Sequence, residues 1–404
     1  MAKTSSRSAR RFTFAALGSA FLVQEAFVGP IMVTFYTCYI GLPFERMSLF
    51  FSIIVGAKLL LSFPLGYVAD AMGRKRLLLV GQALAALSMA TVFLLRFDPS
   101  IMLLLCIGLT WGAARAIDSV TFMPSLFYMA RKCASDQDMN EILARRAGLG
   151  ALLTGLAVIL SGIVATRGVQ YSFMIDIAIA LIALLFFAAF LDESVGTKRS
   201  TPSPADRPGM LAPLRWSGGH YGILLQVMPV STCSGIYLAM QRAAFNYLQP
   251  ALALNAVPMA MWGVVSALLF FVSYLGGAHY KATDARRSDN SIVRLSCVGL
   301  AFAMAGSMAS RSATFVVLYF LSSNLAAPML LARSTRFVMH RLSSVDDLQS
   351  SYLALVAIMQ TVIMATALTA SGYLVPSHAY DQAVVIASAV TICCIRWLDS
   401  HCRK

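Results

Sequence analysis

Gly66-Tyr67-Val68-Ala69-Asp70-Ala71-Met72-Gly73-Arg74-Lys75-Arg76 decides how this chain folds. The stretch follows one long apolar segment (about 47–65) and precedes another (about 77–95). It therefore reads as a tight turn between two membrane spans. Gly66 and Gly73 permit close backbone approach or positive φ. Arg74, Lys75 and Arg76 are costly to carry across a bilayer, so they hold the turn on the cytoplasmic face.

Outward from the turn, the composition agrees. Of 404 residues, 58% are hydrophobic and 12% charged, with a mean hydropathy of +0.73; soluble domains carry about 25% charged residues. A span needs about 20 predominantly apolar residues. Twelve stretches qualify: 12–40, 47–69, 77–95, 101–128, 146–166, 170–191, 220–248, 256–278, 291–310, 313–335, 351–374 and 380–398. The first, fourth and seventh exceed bilayer thickness, so tilt or kinking is expected, with Pro30, Pro124 and Pro229 as kink points. With both ends of the chain cytoplasmic, Arg46, Arg96, Arg167 and Arg311 fall outside and Lys58, Arg115 and Arg242 lie within spans. The other 25 of the 32 Lys and Arg face the cytoplasm. That asymmetry sets the orientation, and it explains the net charge of +14 without a nucleic-acid partner, since no soluble domain carries a basic surface.

One composition break interrupts the series. Residues 193–219, rich in Pro, Ser, Gly and charge, read as a cytoplasmic linker between six spans (1–192) and six more (220–404). The halves echo each other at an offset of about 210 residues: Gly66 falls on Gly276, although Tyr280 stands where Asp70 does. The expected fold is an all-α membrane protein with twelve transmembrane helices in two pseudo-symmetric six-helix bundles.

The turn resembles the signature G-x-x-x-D-(R/K)-x-G-R-(R/K) of the major facilitator superfamily through Gly66, Asp70, Gly73, Arg74 and Lys75; it departs at Ala71, where a cation is usual. Two six-helix halves joined by one linker are also that family's parallel-repeat layout. The resemblance implies secondary transport by alternating access, with the signature turn helping to hold an inner gate and Asp70 meeting cations or a helix N-terminus. Gly112-Ala113-Ala114-Arg115-Ala116-Ile117-Asp118-Ser119 and the Glu193-Ser194 pair look most like drug/proton antiporters, while span five lacks the Gly-Pro element common in them.

Six ionisable side chains lie inside spans: Glu25, Lys58, Arg115, Asp118, Asp176 and Arg242. Each is a functional-site candidate because a charge in the membrane is expensive, and each has a structural alternative as half of an interhelical ion pair. Arg115 and Asp118, three residues apart, share a helix face with Trp111 and can pair with each other. The other reading sets Arg115 against Glu25, since spans one and four both line the cavity in the resembled fold. Glu25, Asp118 and Asp176 are the candidate proton-coupling residues. Lys58 has no acid within a helical turn; it reads either as one member of a pair to another span or as a fixed cation that recognises an anion. With Arg115 and Arg242, and with Gln24, Trp111, Gln241, Trp262, Asn324 and Gln360 as hydrogen-bonding and apolar lining, it would form an anion-favouring substrate site.

Eight cysteines show no C-x-x-C pair and five histidines no metal-ligand spacing, so no metal or cofactor is expected. No P-loop or membrane-protease motif stands out, so neither ATP-driven transport nor an enzyme is expected. The reading is a monomeric, multi-pass protein of the cytoplasmic (inner) membrane. It uses the proton gradient to export a small anionic or amphiphilic organic molecule; the alternative is a proton symporter importing an organic anion or nutrient.

Overall fold

A computed structural model describes residues 13–22, 25–133, 136–191, 221–284, 291–342, 349–374 and 379–401. The linker and the pair Arg286-Arg287, which follows Gly276 in the second half, lie outside these residues, as do Gln24 and the side chain of Asp70. The described chain is helical throughout. Its elements are α1 (residues 13–40, in pieces), α2 (Phe44–Met72), α3 (Arg74–Thr91, continued by a 3₁₀ turn to Arg96), α4 (Ile101–Cys133), α5 (Asp136–Ala165) and α6 (Val169–Phe190). The second half supplies α7 (Tyr221–Leu254), α8 (Met259–Asp284), α9 (Ser291–Ala309), α10 (Ala313–Leu342), α11 (Gln349–Leu374) and α12 (Tyr380–His401). Twelve elements thus match the twelve expected spans in order. Among the described residues, seven helices are long and apolar enough to cross a membrane by length and composition.

The helices overrun the spans read from hydropathy. α4 has 33 residues and α7 has 34, about 50 Å at 1.5 Å per residue against a hydrocarbon core of about 30 Å. Hydropathy fades at the headgroups, whereas backbone hydrogen bonding carries a helix on into water. The mixed-charge stretch from Arg131 to Arg146 is accordingly helical on both sides of residues 134–135.

Gly73 alone separates α2 from α3, at φ +93°. A side chain is strained there, so the second signature glycine has a backbone reason to be glycine. Gly66 has open space around its Cα. Its supposed counterpart Gly276 differs: a Cβ there would collide with the Leu325 carbonyl on α10, so α8 and α10 meet backbone to backbone.

Contacts divide the chain into two compact units, residues 1–32 with 56–210 and residues 33–55 with 211–404. In the first, α3 packs on α4 and α6. Ala15, Ala16, Leu78, Phe122, Ala183, Phe187 and Leu191 form a buried cluster. Alanine and glycine recur at these contacts because lipid tails are as apolar as side chains, so close van der Waals approach drives association. Gly81 has Ile117 against it. The apolar side chains of Leu152, Leu156, Leu160 and Ile163 on α5 stay exposed, one stripe at helical spacing that suits a lipid-facing surface.

In the second unit, α7 packs on α10, α11 and α12, and α9 packs on α10 and α12. Residues 33–55 belong here: the Thr34 amide donates to Gln249 Oε1 (3.1 Å), and Phe44 lies on the Tyr247 ring (centroids 5.2 Å apart). This unit carries the ion pairs Arg311–Asp381 at 3.5 Å and Arg333–Asp399 at 2.7 Å.

Candidate functional site

The site begins where α1 fails. Helix runs over 13–19, loosens through the 3₁₀-type bonds of Ala20 to Leu17, Phe21 to Gly18 and Leu22 to Ser19, and resumes as a 3₁₀ turn at Gly29–Ile31. A short α segment and a π segment, Phe35–Ile40, follow. The sequence suggested a kink at Pro30; the chain instead breaks upstream of it. Proline lacks the amide that residue 26 would use in a helix. Glu25, inside the break, stands at φ +60°, a left-handed conformation costing a non-glycine residue roughly 1 kcal/mol.

Side chains from three other helices hold this break. From α4, Trp111 Nε1 donates to Glu25 Oε1 at 2.6 Å, and Arg115 forms an ion pair with Glu25 Oε2. Trp111 and Arg115 are one turn apart on α4, so a single helix face grips both carboxylate oxygens. From α5, Ser161 Oγ donates to the Phe27 carbonyl. From α6, Asp176 Oδ2 accepts the Val28 amide at 2.9 Å. Backbone groups freed inside a membrane must find partners, and these residues supply them.

Of the two arrangements open to Arg115, the structure takes the pair with Glu25. Asp118, one turn further along α4, accepts instead from Gln82 Nε2 of α3 at 3.5 Å. Gln82 is buried and was not singled out in the sequence, where a glutamine in an apolar run looks like any interhelical donor. Arg146 is a second residue that sequence reasoning missed. It lies in the N-terminal half of α5, donates to Ser19 Oγ at 3.0 Å and lies 4.7 Å over the Phe122 ring. The charges of Arg115, Lys58 and Arg146 all bear on Asp118. Lys58 is exposed and makes no ion pair among the described residues. The cluster therefore holds three cations against the carboxylates of Glu25 and Asp118.

The central pair is not sealed in. Arg115 keeps 32% and Glu25 27% of its side-chain surface accessible, whereas Trp111 keeps 3%. A partnered carboxylate that a proton can still reach, beside a guanidinium that an incoming anion can still reach, can exchange one partner for the other.

The expected site residues of the second unit behave differently. Trp262 Nε1 donates to the Val257 carbonyl at 3.0 Å with the ring buried. Asn324 Nδ2 bonds the Phe320 carbonyl of its own helix at 2.9 Å. Gln360 Nε2 donates to Ser234 Oγ at 2.7 Å, and α11 crosses α7 there so closely that a Cβ on Gly235 would stand 3.1 Å from Gln360 Cα. Gln241 Nε2 donates to Tyr237 Oη at 3.3 Å. Each of the four thus has a hydrogen-bond partner within the protein. Arg242 lies over the Phe245 ring at 5.7 Å and makes no ion pair among the described residues.

Among the described residues no cluster of three His, Cys, Asp or Glu has the geometry to hold a metal ion.

The sequence matches the model of the Major Facilitator Superfamily over residues 13–395. The chain belongs to that family. No curated relative matches it. Among solved structures, it is similar to a mutant form of the nucleoside transporter NupG at 12% identity, covering 98% of this chain and 99% of that one, with a TM-score of 0.72. It is also similar to NupG itself at 10% identity, covering 98% of each, with a TM-score of 0.71. At these identities the likeness is one of fold. The family makes this chain a multi-pass transporter of small molecules rather than an enzyme.

Proposed function

We propose that this superfamily member is a proton-coupled secondary transporter of a small organic anion, with the proton and the anion bound at the same time. The observation that carries this reading is the Glu25–Arg115 ion pair with Trp111 on its other oxygen. A proton arriving at Glu25 cancels the carboxylate and frees Arg115 for an anion; an anion arriving at Arg115 makes Glu25 easier to protonate. The two ligands help each other, and linkage makes that help reciprocal. Mutual help gives cotransport. Exchange needs the opposite, two ligands that exclude one another. The pair therefore supports the importing symporter over an anion exporter. Lys58, exposed and without an ion pair among the described residues, adds a second cation for the solute.

A second reading keeps export. The likeness of Gly112–Ser119 to drug/proton antiporters supports it, and it fits a cationic solute, which would compete with the proton for Glu25.

Flux into proteoliposomes with and without a pH gradient separates the two, using organic acids, nucleosides and cationic drugs as solutes. The anion reading expects uphill uptake of an organic acid toward the alkaline side. It also expects Lys58→Ala to raise KM for that acid by about tenfold, the loss of one charge-assisted contact of roughly 1.5 kcal/mol. Movement of cationic drugs alone, or an unchanged KM in Lys58→Ala, would remove the anion reading.

A further inference from the structure

Asp176 plays no part in the scheme above, yet among the described residues it is the most fully buried acid in the first unit, with no exposed surface. Oδ2 accepts the Val28 amide at 2.9 Å, with the Phe27 amide beside the carboxylate. Oδ1 has no hydrogen-bond partner. Ser172 lies one turn earlier on the same face of α6, equally buried, and its Oγ has no partner either. No lysine, arginine or histidine among the described residues forms an ion pair with Asp176.

The charged groups around it are few. Arg115 of α4 is the cation whose field reaches it, and Arg115 is already engaged by Glu25, the one acid described in the α1 break. The membrane portions of α3 (77–91) and α5 (149–165) contain no ionisable side chain, and on α6 the other is Tyr171, whose ring is exposed. A buried carboxylate left charged with one oxygen bare is costly. One proton removes the charge and gives Oδ1 a hydrogen to donate, with the orphaned Ser172 Oγ on the same face as an acceptor. A sodium ion would need several more oxygens around it than these two groups supply.

We propose that Asp176 is a proton site whose occupancy decides whether α1 is broken. When ionised, its carboxylate makes a charge-assisted bond to the Val28 amide and keeps residues 27–28 out of helical register. When protonated, it is a weaker acceptor, the amide is released, and the break moves. Glu25 lies in the same break, so the motion shifts it against Arg115. The purpose of this latch rests on the coupled-transport reading, but its test does not.

Hydrogen exchange of the full chain in lipid nanodiscs, corrected for intrinsic rates, provides that test. In the wild-type protein, protection of peptides covering residues 20–31 is expected to change by about tenfold between pH 8 and pH 5. The change should vanish in Asp176→Asn and persist in Glu25→Gln. Replacing sodium with choline at constant pH should leave it unaltered. If Asp176→Asn does not fold, Ser172→Ala substitutes: losing the acceptor for the added proton should move the midpoint to lower pH. An Asp176→Asn protein that keeps the wild-type response, a midpoint unmoved in Ser172→Ala, or a response to sodium in place of pH would each overturn the proposal. A pH response in exchange with no pH-driven solute flux upholds the latch and removes coupled transport. Flux that is pH-driven while Asp176→Asn leaves both flux and exchange unchanged does the reverse.

Discussion

α1 and α7 open the two halves of the chain, and they meet the same problem in opposite ways. α7 runs 34 residues without interruption although Pro229 and Pro250 lie inside it. α1 has only Pro30 and falls apart before reaching it. Proline alone is therefore not what breaks the helix. What separates them is the partners on offer: α1 has Asp176, Ser161, Arg115 and Trp111 directed at its open backbone and at Glu25. α7 has neutral groups that pin it without opening it, such as Tyr237 donating to the Ser323 carbonyl at 2.6 Å and Gln360 donating to Ser234. A neutral hydrogen bond contributes about 1 kcal/mol whatever the pH. An ion pair depends on protonation, so α1, gripped at Glu25 by Arg115, is the helix of the two that a change of pH can shift.

The sharpest way to break this contrast is to remove the cation. Arg115→Ala leaves Glu25 charged, strained and held by Trp111 alone. The expected cost is roughly 2 kcal/mol, below the 3–5 of a sealed pair because both groups retain accessible surface. The loss should be larger at pH 8 than at pH 5, where protonation relieves the stranded carboxylate. Thermal unfolding in detergent at both pH values measures it, and a loss independent of pH would show that Glu25 does not depend on the pair.

A smaller effect sharpens the contrast from the packing side. Gly276→Ala drives a methyl group into the Leu325 carbonyl and should destabilise by about 1–3 kcal/mol, whereas Gly66→Ala meets open space and should change stability by less than about 0.5 kcal/mol. Equal melting temperatures for the two would contradict the different roles assigned to these positions.

Much of this was legible in the sequence, and the reason is physical. Bilayer thickness acts on local composition, so the spans could be read from stretches of about 20 residues. Gly73 shows a special backbone by lacking a side chain. The break in α1 was not legible, because the groups that hold it, Ser161 and Asp176, lie on helices more than 130 residues away. Separation in the chain likewise left Arg115 with two possible partners, and only the fold chose Glu25. The protein partners of Trp262 and Gln360 were not legible either, because an indole or an amide in a span reads the same whether it serves a ligand or a neighbouring helix.

The central claim is that protonation of Glu25 frees Arg115 for the solute. Accumulation of an organic acid in proteoliposomes, driven by a pH gradient and compared between wild-type protein and Glu25→Gln, tests it most directly. The account predicts that Glu25→Gln still equilibrates the acid down its own gradient, at a rate indifferent to pH, and no longer accumulates it. Accumulation at the wild-type level in Glu25→Gln would contradict it.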